Sequence, residues 1–226
     1  MTSLREFDAL APAWRDVTAA SGQTSPFLSH DWFACCWRTA GPNRRREVLV
    51  LEDTAGPVAF FPLVYTKTRL HGLHVRSLAF LASPDTPFAD FPIAGDVDEA
   101  IARLLDALRA RRDWDLLRLP KLRAHSPIVK ALGSALSGAF PWRNAGRTVS
   151  PHIALTGSWD DFLREKSQRF RKTCRNVDNR LQRAGTIAIE EHRDVDPAGR
   201  LFAELMEVSR QSWKAPEGVA MTTMQG

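Results

Sequence analysis

The sequence predicts an α/β (equally, α+β) fold: a mixed sheet flanked by helices. Three observations predict it. Two alternating, strand-like runs at 47–52 and 58–66 are joined by Asp53-Thr54-Ala55-Gly56, a composition suited to a hairpin turn. An amphipathic segment opens at Asp96 and runs to Arg112, with Ile101, Leu104, Leu105 and Leu108 on one side. Further short strand-like runs at 77–81, 115–119 and 150–155 alternate with helical stretches, the pattern of layered α/β structure.

Taken in order, residues 8–20 read as a first helix, capped by Asp8 and turning Leu10, Trp14 and Val17 inward. Ser29 caps a second helix over 30–40, with Phe33, Cys36 and Trp37 on its apolar face and Gly41-Pro42 as its stop. Ser126-Pro127 opens a helix after the 115–119 strand. The Pro- and Asp-rich stretch 83–92 is a loop. A boundary is expected near Thr156-Gly157, dividing the chain into 1–155 and 156–226. After it come a long basic helix, a strand over 186–191 and a helix over 197–213 with Leu201, Leu205 and Val208 inward.

The 226 residues are long enough to bury a core, and 44% hydrophobic with 25% charged residues is ordinary globular composition. The longest apolar run, 58–65, falls far short of the ~20 residues a spanning helix needs. Arg5, Glu6 and Asp8 stand where a secretory signal would be apolar. Of three cysteines, Cys35 and Cys36 are vicinal and Cys174 is remote. No zinc-like spacing occurs, His71 and His74 lack carboxylate or thiolate company, and no metal is expected. A cytoplasmic location is the expectation.

The net charge of +5 is unevenly placed. Arg164, Lys166, Arg169, Arg171, Lys172, Arg175, Arg180 and Arg183 face only Glu165 and Asp178, so this segment carries +6 and the rest of the chain −1. Ser158 and Asp161 form a capping-box start and Gly185 a stop. Read as one helix, Leu163, Phe170, Cys174, Val177 and Leu181 fall on a stripe roughly 60° wide, with every basic residue off it. The surface is either a solvated face or a site for phosphates, as on coenzyme A, a sugar nucleotide or a lipid headgroup. Stacking aromatics and a second basic patch are missing, which argues against DNA or RNA.

The run Ser158-Trp159-Asp160-Asp161-Phe162-Leu163, followed by Lys166-Ser167, Arg169, Arg171-Lys172, Arg175, Arg180-Leu181 and Gly185, resembles the CelD/FemAB-like branch of the GNAT acyltransferase superfamily. Ser25-Pro26-Phe27-Leu28-Ser29-His30-Asp31-Trp32, Phe61-Pro62-Leu63, residues 113–119, and Ser212-Trp213-Lys214 with Gly218 fit the same pattern in the same order. The resemblance implies two GNAT-like units in tandem: a degenerate one over 1–155 and an acyltransferase domain that begins at 156 and is incomplete, the chain being C-terminally truncated. It implies acyl-CoA as co-substrate, an amine or sugar-linked acceptor, and a link to exopolysaccharide and cell-envelope biosynthesis. A non-catalytic remnant or binding module, and a Fem-type aminoacyl transferase, are the alternatives.

Arg169, Arg171, Lys172 and Arg175 are the candidate anion-binding residues, and Trp213 and Lys214 are candidates for the substrate site. A core or hinge role is the alternative for Trp213. The one near-match to a pyrophosphate-binding turn, Arg69-Leu70-His71-Gly72-Leu73-His74, ends on a bulky histidine and reads better as a hairpin loop. Glu190, Glu191 and His192 are possible bases that also suit an exposed strand, and the catalytic residue stays unassigned. The loop from Asp85 to Phe91 is either a substrate-side loop or a packed connector. Uncovered apolar faces after Gly157 would lead to self-association.

Overall fold

The structure, a computed structural model, describes residues 3–41, 44–83, 86–137, 141–154, 156–192 and 199–221. Two compact units divide the chain, Met1–Arg147 and Thr148–Gly226.

In the first unit, α1 (Leu4–Ala9), α2 (Ala11–Ala20) and α3 (His30–Thr39) precede a hairpin of β1 (Arg46–Asp53) and β2 (Gly56–Leu70). Then come β3 (Leu73–Phe80), α4 (Val97–Arg109), β4 (Leu116–Arg118) and α5 (Pro127–Leu136). The four-stranded sheet has the order β1-β2-β3-β4, with antiparallel first and second pairs and a parallel third. The mixed sheet predicted from the sequence is therefore present. The parallel β3–β4 pair needs a crossover, and α4 lies in that connection.

Alternation along β2 builds two cores. Ala59, Phe61 and Leu63, with Leu78 and Phe80 of β3, pack beneath Ile101, Leu104, Leu105 and Leu108 of α4 and Ile128 of α5. Phe60 and Val64, with Val48 of β1, pack on the other side against Phe7, Trp14, Phe33 and Trp37 of the first three helices. Trp14 stacks on Phe60 at 4.5 Å and its indole N–H donates to the Leu28 carbonyl at 2.8 Å. Each such buried aromatic removes a large apolar area from water.

The expected caps at Ser29, Asp96 and Ser126 are in place. The one at Asp8 is not. Ser3 starts α1, accepting from the Glu6 amide while Glu6 returns to the Ser3 amide, and Asp8 instead pairs with Arg38 at 3.4 Å. Pro12 separates α1 from α2, because it lacks an N–H and its ring crowds the carbonyl four residues back. Of the expected stop at Gly41-Pro42, Pro42 lies outside the described residues.

The second unit departs further from expectation. The single long helix is two: α6 (Trp159–Arg164) and α7 (Gln168–Ala184). Ser158 and Asp161 form the expected capping box. Ser167 then takes an extended backbone, and its hydroxyl accepts from the Phe170 amide at 3.2 Å, restarting the helix. The expected strands at 150–155 and 186–191 are not formed: their described residues, which exclude Leu155, are exposed and irregular. No strand is present among the described residues of this unit. The last helix, α8 (Arg200–Gln211), starts after the expected position, Pro197 lying outside the described residues. Leu205 and Val208 were expected inward but are 49% and 67% exposed. The chain after α8 folds back instead on Ser209, whose hydroxyl accepts from the Met221 amide at 3.0 Å. Among the described residues no helix is long and apolar enough to cross a membrane.

Candidate functional site

Six basic residues of α7, Arg169, Arg171, Lys172, Arg175, Arg180 and Arg183, face one acid, Asp178, within 17 residues. None of the six forms an ion pair among the described residues; Asp178 is held by Gln182 at 3.0 Å. Phe170, Cys174, Val177 and Leu181 recur at i, i+4, i+7 and i+11, the spacing of one helix face. That face is only partly covered, Phe170 remaining 42% exposed. Leu163 belongs to α6, so the restart at Ser167 removes it from the stripe. At the joint, Phe162 meets Phe170 edge-on at 6.3 Å and the Lys166 ammonium lies 4.3 Å from the Phe162 ring centre.

Arg169, Arg171, Lys172 and Arg175 thus lie within the first eight residues of α7, whose first turn is the positive end of the helix dipole and holds no acidic residue. Like charges crowded there repel one another and the dipole, and a bound polyanion relieves both. Trp213, 68% exposed, and Lys214 follow α8 in a turn closed by the Val219 amide on the Lys214 carbonyl at 3.0 Å. Among the described residues no hydrogen bond, ion pair or ring contact joins this pair to the α7 cations. The exposure of Trp213 removes the core role weighed for it. Glu190 and His192 lie 3.1 Å apart in an exposed segment.

The near-match at 69–74 is a hairpin turn. His71 and Gly72, with φ of 49° and 84°, connect β2 to β3 with Leu70 opposite Leu73, the geometry of a two-residue turn with a left-handed backbone. Asp85 lies outside the described residues, and the rest of that loop is a packed connector. Phe91 is fully buried, meeting Phe61 at 5.0 Å and Phe80 at 4.5 Å. Burial pushes the Asp90 carboxyl up, against the pull of the Ser126 hydroxyl at 2.8 Å, the Phe91 amide and Arg123. The cleft beside it, lined by Gln23, Ser25, Phe88 and Arg123, has room for about one water.

A further polar cluster in the first unit went unread in the sequence. Glu47 on β1 is buried and holds both terminal nitrogens of Arg111, at 2.7 and 3.2 Å. Arg111 also binds Asp113 and the Tyr65 hydroxyl, and Arg45 reaches Asp113 at 2.9 Å. The Arg45 guanidinium lies 4.1 Å from the Tyr65 ring centre. Burial raises the Asp113 carboxyl, but Arg111 and Arg45 more than reverse this and hold it below the ordinary range. Alongside, Arg76 clasps Asp115 with two nitrogens, at 2.9 and 2.6 Å, holding that carboxyl at about 2. The one sequence signal was alternation: Ala59, Phe61, Leu63, Tyr65, Lys67 and Arg69 share a face of β2 that turns from apolar to cationic. Among the described residues no group of three His, Cys, Asp or Glu side chains is placed to hold a metal.

No family model matches the sequence, and no curated protein matches it. Among solved structures the chain is similar to one described as a probable acetyltransferase, with a TM-score of 0.39 and 16% identity, covering 68% of this chain and 97% of that one. It is also similar to a tetramutant of the BH1408 protein from Bacillus halodurans, with a TM-score of 0.41 and 14% identity, covering 68% and 98%.

Proposed function

We propose that this chain is an acyltransferase of the GNAT class, in its CelD/FemAB-like branch, whose helix α7 receives the phosphates of an acyl-CoA donor. One observation carries the reading: six cations on a single exposed helix with no acidic partner among the described residues, four of them within its first eight positions. Coenzyme A carries a pyrophosphate and a 3′-phosphate, a charge density that suits such a surface. The ordered motifs of the sequence point to the same class. Trp213 and Lys214 are assigned to the substrate side, and the acceptor to an amine or sugar-linked molecule of envelope or exopolysaccharide assembly.

The fit to the donor is one of charge. Arg169, Arg171, Lys172 and Arg175 would bind and orient phosphate oxygens. The hairpin at 69–74 supplies no pyrophosphate cradle, and no described base stands ready for proton transfer. That observation favours a second reading, a phosphate-binding module without turnover.

Calorimetric titration of acetyl-CoA into the full chain tests the assignment. The comparison is a variant carrying Arg169→Gln, Arg171→Gln, Lys172→Gln and Arg175→Gln, since glutamine keeps helix propensity while removing charge. At roughly 0.7 kcal/mol per exposed contact, the variant should bind about a hundredfold more weakly. Equal binding by both proteins would sink the α7 assignment. Binding without release of free thiol in the presence of amine acceptors would select the module.

A further inference from the structure

The cationic end of β2 opens onto a groove of about 400 Å³ lined by Arg44, Arg45, Tyr65, Thr66, Lys67, Arg76 and Asp113. That volume is in the range of small-molecule sites. Four cations and one carboxylate line it, and their commitments differ. Arg45 is paired with Asp113 and Glu47, and Arg76 is held by Asp115 and the Arg112 carbonyl. These two form fixed walls. Arg44 and Lys67 have no acidic partner among the described residues, and the Thr66 hydroxyl has no hydrogen bond there.

Strand register sharpens the point. Lys67 stands directly opposite Arg76 in the β2–β3 ladder, and like charges at directly opposed positions destabilise a sheet. The sequence accepts that cost where both side chains are exposed. Tyr65 closes the inner end, its ring under Arg45 and its hydroxyl held 3.1 Å from Glu47 and 2.9 Å from Asp113.

We propose that this groove binds a small phosphate-bearing molecule, with Arg44 and Lys67 as its donors and Arg45 and Arg76 as its positive walls. An arginine fork and a lysine point charge together match the several acceptor oxygens of one phosphoryl group. The site lies in the first unit and is independent of the reading of α7.

The test is titration of the full chain with pyrophosphate and with glycerol phosphate at constant ionic strength, followed by amide signals in two-dimensional NMR. The expected result is saturable movement of the Tyr65, Lys67 and Arg76 amides. The two ligands separate a free anion from a phosphate ester, and saturation by either supports the proposal. Lys67→Thr should weaken binding about tenfold, the loss of one charge-assisted contact. It should also raise the melting temperature of the ligand-free protein by removing the opposed charges. Arg44→Gln, in the loop before β1, should weaken binding without touching the ladder, and it serves if Lys67→Thr fails to fold. The four-glutamine variant of α7 should leave these shifts unchanged. Unaltered affinity in Arg44→Gln, movement confined to α7, or equally tight binding of citrate would each overturn the proposal.

Discussion

Replacing Arg111 by leucine should cost the first unit about 3 kcal/mol, and the reason is the carboxylate left behind. The Glu47 side chain is 7% exposed, and Arg111 supplies its two short contacts. Removing one member of a buried pair costs about 3–5 kcal/mol, because the other charge stays out of water uncompensated. The lower end applies, since Tyr65 remains 3.1 Å from Glu47 and Arg45 remains 3.6 Å away. For a chain of this length about 3 kcal/mol lowers the melting temperature by roughly 6–12 °C. Tryptophan fluorescence reports it, because Trp14 and Trp37 sit in the core of this unit. Glu47→Gln combined with Arg111→Leu should recover much of the loss, as the double variant leaves no charge stranded. A loss under about 0.5 kcal/mol, the size of an ordinary surface change, would refute the reasoning. So would a double variant no more stable than Arg111→Leu.

Other outcomes follow from single groups. Asp115 should titrate near 2 by carboxyl NMR. Its pKa is depressed on folding, so its contribution is present above the ordinary carboxylate range and is lost as pH falls through about 2. Arg76→Gln should raise it, the amide of residue 76 still donating to that carboxylate. Asp90 has the opposite sign: its folded pKa is raised, so its favourable contribution is complete below the ordinary range and is lost as pH rises through the raised value. Asp90→Asn should therefore gain stability relative to the parent between pH 3 and pH 7 in urea unfolding, and a constant difference would contradict this. Ser167→Ala should remove the cap that restarts α7, at a cost of about 1 kcal/mol, seen as lost helicity by circular dichroism.

Much of the first unit was legible because its signals are local. Ser29, Asp96 and Ser126 each stand immediately before an amphipathic run, and Asp53 to Gly56 spells a turn between two alternating strands. Ser3 was equally readable, its Ser-x-x-Glu spacing being that of a capping box, but Asp8 is the same kind of residue and competes for the same role. The Ser25 to Trp32 motif proves to be a helix-starting device. Pro26–Leu28 makes one tight turn, Ser29 caps α3, and Phe27 packs edge-on to Trp32 at 4.9 Å.

The second unit was legible in composition but not in form. The charge of α7 could be counted from the sequence, while the break at Ser167 turned on whether one hydroxyl would cap a new helix or stay on an old one. Strands at 150–155 and 186–191 had suitable alternation, but strand formation depends on a partner, and local sequence does not specify one. The groove was hidden for a related reason. Its residues come from the loop before β1, from β2, from β3 and from the segment after α4, and only strand register brings Lys67 to Arg76.

The most direct test of the α7 assignment is calorimetric titration of coenzyme A against pantetheine, which lacks its phosphates, at low and high salt. The account predicts saturable binding of coenzyme A that weakens steeply with salt, none of pantetheine, and loss of the difference when Arg169, Arg171, Lys172 and Arg175 are all glutamine. Equal affinity for the two ligands, or full affinity in the glutamine variant, would contradict it.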